Sequence, residues 1–174
     1  MNRHIWKHVA AIVSSRAWQV VGLLWLVAVL NYLDRLMITT MRDPIKAAIP
    51  MTDAQFGLLT SMFLWVYGAL SPLGGFLADK FSRSKVIVGS LFVWSMVMWL
   101  TGHVKTFEQL LLARALMGIS EACYIPAALA LIADFHRGQT RSLATGLHMS
   151  GVYMGAALGG VGGYLAEHFG WRAG

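Results

Sequence analysis

Four ionisable residues lie inside long apolar stretches of the sequence, where a charged group is costly. They are Asp34 and Arg35, near the end of the first stretch, and Arg114 and Glu121, in the fourth. A charge at the centre of a bilayer costs about 2.5–3.5 kcal/mol on insertion scales, so such groups pair with one another or face a watery cavity. Carboxylates exchange protons and guanidinium groups bind oxyanions. The four residues together therefore predict a buried site for protons and anions.

The spacing of these residues supports a common site. Arg114, Gly118 and Glu121 stand at positions i, i+4 and i+7, which lie on one face of a helix, and the glycine leaves room between the two charges. Asn31 and Arg35 are four residues apart and also share a face. The four charges sum to zero, so protonation of one carboxylate leaves a net charge of +1. Proton uptake and anion binding would then be thermodynamically linked.

A structural role for the same charges is the alternative. Fixed ion pairs could hold the first and fourth stretches together, and for Arg114 both interpretations stay open. For Asp34 and Glu121 we favour a functional role, because apolar packing readily replaces a purely structural buried pair.

The elements that carry these residues are predicted to be membrane helices. The chain has 174 residues, of which 57% are hydrophobic and only 13% charged, whereas a soluble domain carries about 25% charged residues. Backbone amides have no water partners in a bilayer, so long apolar stretches form helices. The composition predicts an all-α membrane protein in which residues 17–174 form about five transmembrane helices, over residues 17–40, 54–78, 86–104, 107–133 and 142–166.

The distribution of Lys and Arg predicts the orientation in the membrane. Eight of these residues fall on the side of the N-terminus and four on the other side, which predicts a multi-pass protein of the plasma (inner) membrane with a cytoplasmic N-terminus. Residues 1–16 form the predicted cytoplasmic N-terminal segment. Within it, apolar residues at helical spacing are compatible with an interfacial helix or with a frayed tail, and both stay open.

Several other classes of protein do not fit the sequence. The net charge of +6 is divided among short clusters rather than a basic stripe, so no nucleic-acid partner is expected. No spacing typical of metal ligands is present, and no cofactor is expected. His148 and Ser150 lie two residues apart and face different sides of a helix, so they form no catalytic dyad and an enzyme is not expected. His148 could accept a proton, although a neutral, hydrogen-bonded histidine is favoured.

Glycine and proline residues predict how the helices pack and bend. Gly118 and four glycines at strict four-residue spacing in the fifth stretch are typical of close helix contacts. The four are Gly151, Gly155, Gly159 and Gly163. Pro72 and Pro126 each remove an amide donor within a stretch and are expected to bend it.

Several strings resemble one family. The segment Gly75 to Lys85 resembles the signature between helices two and three of the major facilitator superfamily, and Arg114-Ala-Leu-Met-Gly118 resembles its fourth-helix motif. Gly170-Trp171-Arg172 resembles the turn before its sixth helix. Asn31-Tyr-Leu-Asp-Arg35 and Gly118-Ile-Ser-Glu-Ala-Cys-Tyr124 are similar to the spinster-like branch, and the former is equally similar to the anion:cation symporters.

Two positions depart from the patterns of that family. Ser82 stands where the superfamily loop usually has glycine, a form closer to the spinster-like branch. Ala156 follows Gly155 where the antiporter signature of the fifth helix usually has proline, so antiport is not inferred from it.

The resemblance implies a fold of twelve helices in two halves that rock against each other. The chain would then be a fragment with most of the N-terminal six-helix half, and its partners would be the missing C-terminal half, the lipid bilayer, protons and a small-molecule substrate. The resemblance also implies roles for individual residues. Asp34 and Glu121 would carry protons, and Gly75, Asp79 and Arg83 would form a cytoplasmic gating loop. The implied cavity residues are Asn31, Tyr32, Arg35, Arg114 and Tyr124.

The leading functional hypothesis is a proton-coupled secondary transporter of a small organic anion such as a sugar acid. Symport and antiport both stay open. The alternatives are a non-transporting membrane module that binds a partner and an exporter of lipids or lysolipids of the spinster-like type.

Overall fold

The computed structural model describes residues 15–173 of the chain. The predicted N-terminal segment, for which an interfacial helix and a frayed tail both stay open, lies outside the described residues except for Ser15 and Arg16. The described residues contain eight α-helices, two short 3-10 turns and no β-strand, which confirms the all-α fold. The helices are α1 (Arg16–Thr40), α2 (Arg42–Ala48), α3 (Asp53–Lys80), α4 (Arg83–Thr101), α5 (Phe107–Ala122), α6 (Tyr124–Phe135), α7 (Arg141–Leu158) and α8 (Val161–Phe169).

Four stretches are long and apolar enough to cross a membrane: α1, α3, α4, and α5 together with α6. Large apolar side chains are exposed along them, such as Leu23 on α1, Trp65 on α3, Phe92 on α4 and Leu112 on α5. This much exposed apolar surface is typical of a lipid-facing exterior. The protein is therefore a membrane protein.

The fifth predicted stretch differs from the expectation of one continuous helix. It is divided into α7 and α8, with a turn at Gly159 and Gly160 between them. Two consecutive glycines lower the helix propensity locally, because each loses more backbone entropy than any other residue on becoming helical. This accounts for the position of the interruption.

The fourth stretch is interrupted at Cys123, between α5 and α6. Pro126 has no amide hydrogen to donate to the carbonyl of Ala122 four residues earlier, which weakens the helix at this point. The backbone of Gly74 on α3 lies directly against that carbonyl, where no Cβ would fit. By contrast, α3 runs without interruption through Pro72.

Side-chain caps fix where two of the long helices begin. Thr52 accepts a hydrogen bond from the amide of Gln55, and the Gln55 side chain accepts one from the amide of Thr52, so a capping box starts α3. Thr106 likewise accepts from the amide of Gln109 and starts α5. These caps satisfy backbone donors that the first helical turn leaves open.

The described residues form two compact units. The first comprises residues 15–35 and 131–159, and the second comprises residues 36–130 and 160–173. In the second unit, the core is formed by Phe63, Val97, Ala113 and Met117, against which the side chains of Tyr67, Trp94 and Met98 pack. The core therefore joins α3, α4 and α5, and α5 carries two of the predicted functional charges.

Candidate functional site

Two ionisable side chains are buried on one face of α5. Arg114 is 3% exposed and Glu121 is 1% exposed. They are seven residues apart, which places them on the same face, about 10 Å apart along the helix axis. Two groups of opposite charge are thus buried in a stretch, formed by α5 together with α6, that is apolar enough to cross a membrane.

The guanidinium of Arg114 lies over an aromatic ring of α3. Its Cζ is 5.0 Å from the centroid of the Phe63 ring, and Nη1 is 3.9 Å from the Sδ of Met117. The Phe63 ring in turn stacks on Tyr67, with a centroid distance of 5.9 Å. A cation over a ring face is attracted by the ring quadrupole. Phe63 was not among the residues predicted from the sequence, although Phe63 and Tyr67 stand at the i, i+4 spacing of one helix face.

Gly118 brings α3 and α5 into backbone contact. A Cβ at this position would lie 2.9 Å from the carbonyl oxygen of Phe63 and 3.2 Å from the amide nitrogen of Tyr67. Any larger residue would therefore push α3 away from α5. The glycine lies one helical turn after Arg114, which sets the Phe63 ring at the level of the guanidinium.

The interruption after Ala122 lies next to Glu121. The Ser90 hydroxyl of α4 donates a hydrogen bond to the carbonyl of Ser120. Tyr124, the first residue of α6, is 1% exposed. Ser90 was not predicted from the sequence, where only its position within an apolar run distinguishes it. The segment that carries Glu121 is therefore held by side-chain as well as backbone contacts.

Four of the predicted site residues lie on α1 in the first unit: Asn31, Tyr32, Asp34 and Arg35. Asn31 is 2% exposed, and its Oδ1 has no hydrogen-bond partner among the described residues. The guanidinium of Arg35 lies over the ring of Tyr32, at 4.5 Å from its centroid, and Asp34 and Arg35 are half-buried. The expectation that these residues share one cavity with those of α5 remains a prediction.

The predicted gating loop lies at the junction of α3 and α4. Arg83 Nη2 is 3.8 Å from Asp79 Oδ1, so an ion pair bridges the end of one helix and the start of the next. The Asp79 side chain is 78% exposed and that of Arg83 is 32% exposed. Gly75 lies nearby on α3, where an added Cβ would be 4.0 Å from the Cβ of Pro126, an ordinary contact distance.

The glycines of the fifth stretch differ among themselves. A Cβ on Gly151 would lie 2.7 Å from the carbonyl oxygen of Trp25, and one on Gly155 would overlap the carbonyl of Val29. Both glycines thus bring α7 against α1 within the first unit. Gly159 caps the end of α7.

The close contact of α8 falls one residue before the predicted position. A Cβ on Gly163 would meet only the Thr40 carbonyl oxygen, at an ordinary 3.5 Å, whereas one on Gly162 would lie 2.7 Å from the Thr40 Oγ1. The four-residue spacing does not continue into α8, because the turn between the helices shifts the face.

Two further features of the described helices involve ionisable side chains. His148 on α7 is fully buried and interacts with the backbone of Leu24 on α1. Asp53, at the start of α3, forms ion pairs with Arg42 and Lys46 of α2, a cluster that was not predicted from the sequence.

Within residues 15–173, no three His, Cys, Asp or Glu side chains come together as they would around a metal ion.

The chain is similar to known membrane transport proteins. A family model described as Major Facilitator Superfamily matches residues 24–174. The chain is 35% identical over 161 residues to an MFS-type efflux pump of Mycolicibacterium smegmatis, a match that covers 90% of this chain and 37% of the pump. It is 31% identical to the sphingosine-1-phosphate transporter SPNS2 of Xenopus tropicalis over 79% of this chain and 27% of that protein.

A solved structure agrees with these matches. The crystal structure of a bacterial homolog to the human lysosomal transporter Spinster, in an inward-facing and unoccupied conformation, superposes with a TM-score of 0.83 at 32% identity. The match covers 88% of this chain and 33% of that one. The chain thus spans about a third of the length of the relatives it matches.

Proposed function

The chain belongs to the Major Facilitator Superfamily, and from that premise we propose that it supplies helices of the N-terminal part of a secondary active transporter. The family and the spinster-like resemblance predicted from the sequence motifs are confirmed. The proposed cargo is a small organic anion, such as a sugar acid, that moves together with protons. The proposed location is the plasma (inner) membrane, with the N-terminus in the cytoplasm.

One observation carries this proposal. Arg114 and Glu121 are both buried and lie on one face of α5, which together with α6 is long and apolar enough to span a bilayer. Such groups are expensive in a membrane and mark pathways of ions and substrates. Arg114 would bind the anionic group of the substrate, because a guanidinium matches a carboxylate or a phosphate through two parallel hydrogen bonds.

The carboxylate of Glu121 would couple the substrate to protons. Protonation of Glu121 removes its negative charge. The positive charge of Arg114 on the same face is then less compensated, and the affinity of the site for an anion rises. Binding of the anion in turn favours the protonated carboxyl group, because the linkage is reciprocal. Asp34, half-buried beside Arg35 on α1, is proposed as a second proton carrier by the same reasoning.

Four further residues predicted from the sequence are proposed to contact the substrate. Asn31 offers a buried amide oxygen with no partner in the described part of the chain, and buried acceptors without partners are rare in proteins. Tyr32, Arg35 and Tyr124 are proposed to contribute ring surface, positive charge and a buried hydroxyl. Gly75, Asp79 and Arg83 are proposed to form the cytoplasmic gate, in which the exposed ion pair can break at low cost.

A second candidate is export of a phosphorylated lipid. It is favoured by the names of the relatives, which include a sphingosine-1-phosphate transporter at 31% identity. A phosphate group would use the same guanidinium of Arg114, so the two candidates differ in the apolar part of the substrate rather than in its anionic part.

Transport by the intact gene product, reconstituted in liposomes, tests the proposal. A sugar acid (glucuronate) and a short-chain lysophospholipid serve as labelled probes, each with and without an imposed pH gradient. Glu121→Gln and Asp34→Asn should each abolish the stimulation by the pH gradient, whereas the matched control Glu167→Gln, at an exposed position near the end of α8, should retain it. Stimulation that survives in both carboxyl variants would refute the coupling.

A further inference from the structure

One face of α4 is turned away from the core of the second unit. The residues that α4 buries are Ile87, Ser90 and Val97, whereas Val88 is 65% exposed and Phe92 is 64% exposed. Val88 and Phe92 are four residues apart and therefore lie on one face of the helix, one turn apart. Since α4 is long and apolar enough to cross a membrane, this face presents its apolar side chains at membrane depth.

A glycine makes a notch in the same face. Around Gly89, no atom lies within 4 Å of the position that a Cβ would take. The notch belongs to a cavity of about 520 Å³ that is lined by Ser84, Lys85, Val88, Gly89 and Phe92. The cavity is apolar along the helix and polar only at the end where α4 begins. A phospholipid has the same order of groups, with hydrocarbon chains next to a polar headgroup.

The polar end of the cavity lies in a region of positive charge. Lys85 is exposed in the first turn of α4, and Lys80 is exposed in the last turn of α3, five residues earlier. Asp79 and Arg83 form an ion pair with each other and add no net charge. Among the described residues, neither lysine forms an ion pair. Both ammonium groups therefore keep their positive charge for an external anion.

The dimensions of the cavity fit a lipid better than a membrane-spanning helix. Lys85 and Phe92 are seven residues apart, or about 10 Å along the helix axis, which is less than half of a hydrocarbon core about 30 Å thick. The cavity thus reaches the depth of a single leaflet. A lysine stem lies along apolar surface while its ammonium reaches the headgroup layer, and anionic lipids attract such lysines.

We propose that this face of α4 is a binding site for an anionic phospholipid of the surrounding membrane. An acyl chain lies in the notch at Gly89, between the side chains of Val88 and Phe92. The phosphate of the headgroup lies at the ammonium of Lys85, and Lys80 adds to the positive potential there. The lipid is bound and not transported, and the site does not depend on the buried charges of α5.

Native mass spectrometry of the intact gene product, titrated with one lipid at a time, tests the headgroup contact. The probes are phosphatidylglycerol and phosphatidylcholine with identical acyl chains, and we expect phosphatidylglycerol to bind at least about fivefold more tightly. Lys85→Gln should lower the affinity for phosphatidylglycerol about fivefold, the effect of one lysine at an anionic membrane surface, and leave that for phosphatidylcholine within about twofold. Lys105→Gln, which alters an exposed lysine before α5, is the matched control and should change neither affinity.

A second variant tests the contact with the acyl chain. Gly89→Leu fills the notch and should lower the affinity for both lipids about fivefold without changing the preference between them. Gly68→Leu is the matched control, because Gly68 is also exposed on a membrane-spanning helix with nothing within 4 Å of an added Cβ. Leucine has a higher helix propensity than glycine, so both variants are expected to fold.

Three results would overturn the proposal. The first is an equal affinity for phosphatidylglycerol in the wild type and in Lys85→Gln, or equal affinities in Gly89→Leu and Gly68→Leu. The second is displacement of phosphatidylglycerol by micromolar glycerol 3-phosphate, which has the phosphate without the acyl chains and would assign the lysines to a soluble ligand. The third is a dimer in the same spectra that binds no lipid, which would assign this face to a second copy of the protein.

Discussion

The backbones of Gly118 and Phe63 are in contact, and a Cβ at position 118 would lie 2.9 Å from the Phe63 carbonyl oxygen. This contact determines how near α3 lies to α5, and with it the place of the aromatic ring over Arg114. The buried charge of the candidate site thus depends on a residue that has no side chain. Small residues at such crossings are the usual means by which membrane helices approach closely.

Gly118→Ala should destabilise the protein, because the methyl group meets backbone atoms that cannot move aside. Overpacking of this kind costs about 1–3 kcal/mol. Thermal unfolding in detergent, followed by tryptophan fluorescence, should show a lower melting temperature. The matched control is Gly68→Ala on α3, where an added Cβ has nothing within 4 Å. Equal melting temperatures for the two variants would contradict the contact.

Gly155→Ala should destabilise the first unit for the same reason. An added Cβ at Gly155 overlaps the Val29 carbonyl and lies 3.0 Å from the Cβ of Tyr32. The loss should again be about 1–3 kcal/mol, measured as the midpoint of unfolding in denaturing detergent. Gly146→Ala, on the same helix but with nothing within 4 Å, should leave the midpoint almost unchanged. A midpoint for Gly155→Ala like that of Gly146→Ala would mean that α7 does not pack on α1 as described.

Ser90→Ala should destabilise the interruption beside Glu121. The variant removes the hydroxyl that donates to the buried Ser120 carbonyl, and loss of one such bond costs about 0.5–1.5 kcal/mol. Ser95→Ala, at an exposed position of α4, is the control and should have no effect. Hydrogen exchange of the amides near Cys123 should accelerate in Ser90→Ala alone, and unchanged exchange would refute a stabilising role for the bond.

Much of the fold can be predicted from the sequence, because a long apolar segment in a bilayer has few backbone structures available other than a helix. The second predicted stretch, over residues 54–78, corresponds to α3 at Asp53–Lys80, since charges and a Thr52 cap mark the ends of an apolar run. A disturbance of the helix near Pro126 is also predicted by the sequence, because a missing amide donor has a local effect, although the same signal at Pro72 leaves α3 uninterrupted. The turn at Gly159 and Gly160 was not foreseen, because the regular spacing of glycines suggested a single continuous packing face.

The contacts of the candidate site were less accessible to sequence reasoning. The pairing of Arg114 with Phe63 joins residues 51 positions apart, and it depends on the crossing of two helices that the sequence does not specify. Gly74 was missed for the same reason, since only the structure brings it against the Ala122 carbonyl. Periodicity within one helix identifies a face, whereas the neighbour of that face depends on tertiary packing.

Asp79→Asn should impair transport with little effect on stability. The Asp79–Arg83 pair is largely exposed, and exposed pairs contribute only about 0–1 kcal/mol. The uptake rate of the reconstituted protein should fall while its melting temperature stays within a few degrees. Asp43→Asn, which alters another exposed ion pair, that with Arg42, should leave uptake intact. A normal rate in Asp79→Asn would remove the gating role from this loop.

The central claim is that the buried charges of α5 serve a water-accessible pathway rather than a fixed structural pair. The most direct test is the reaction of a cysteine at position 121 with a membrane-impermeant thiol reagent, in a Cys123→Ser background that leaves no other cysteine. Leu110→Cys, at a fully buried packing position of the same helix, is the reference for an inaccessible site. We predict that Glu121→Cys reacts from at least one side of the membrane, much faster than Leu110→Cys. A rate from both sides as low as that of Leu110→Cys would contradict the account.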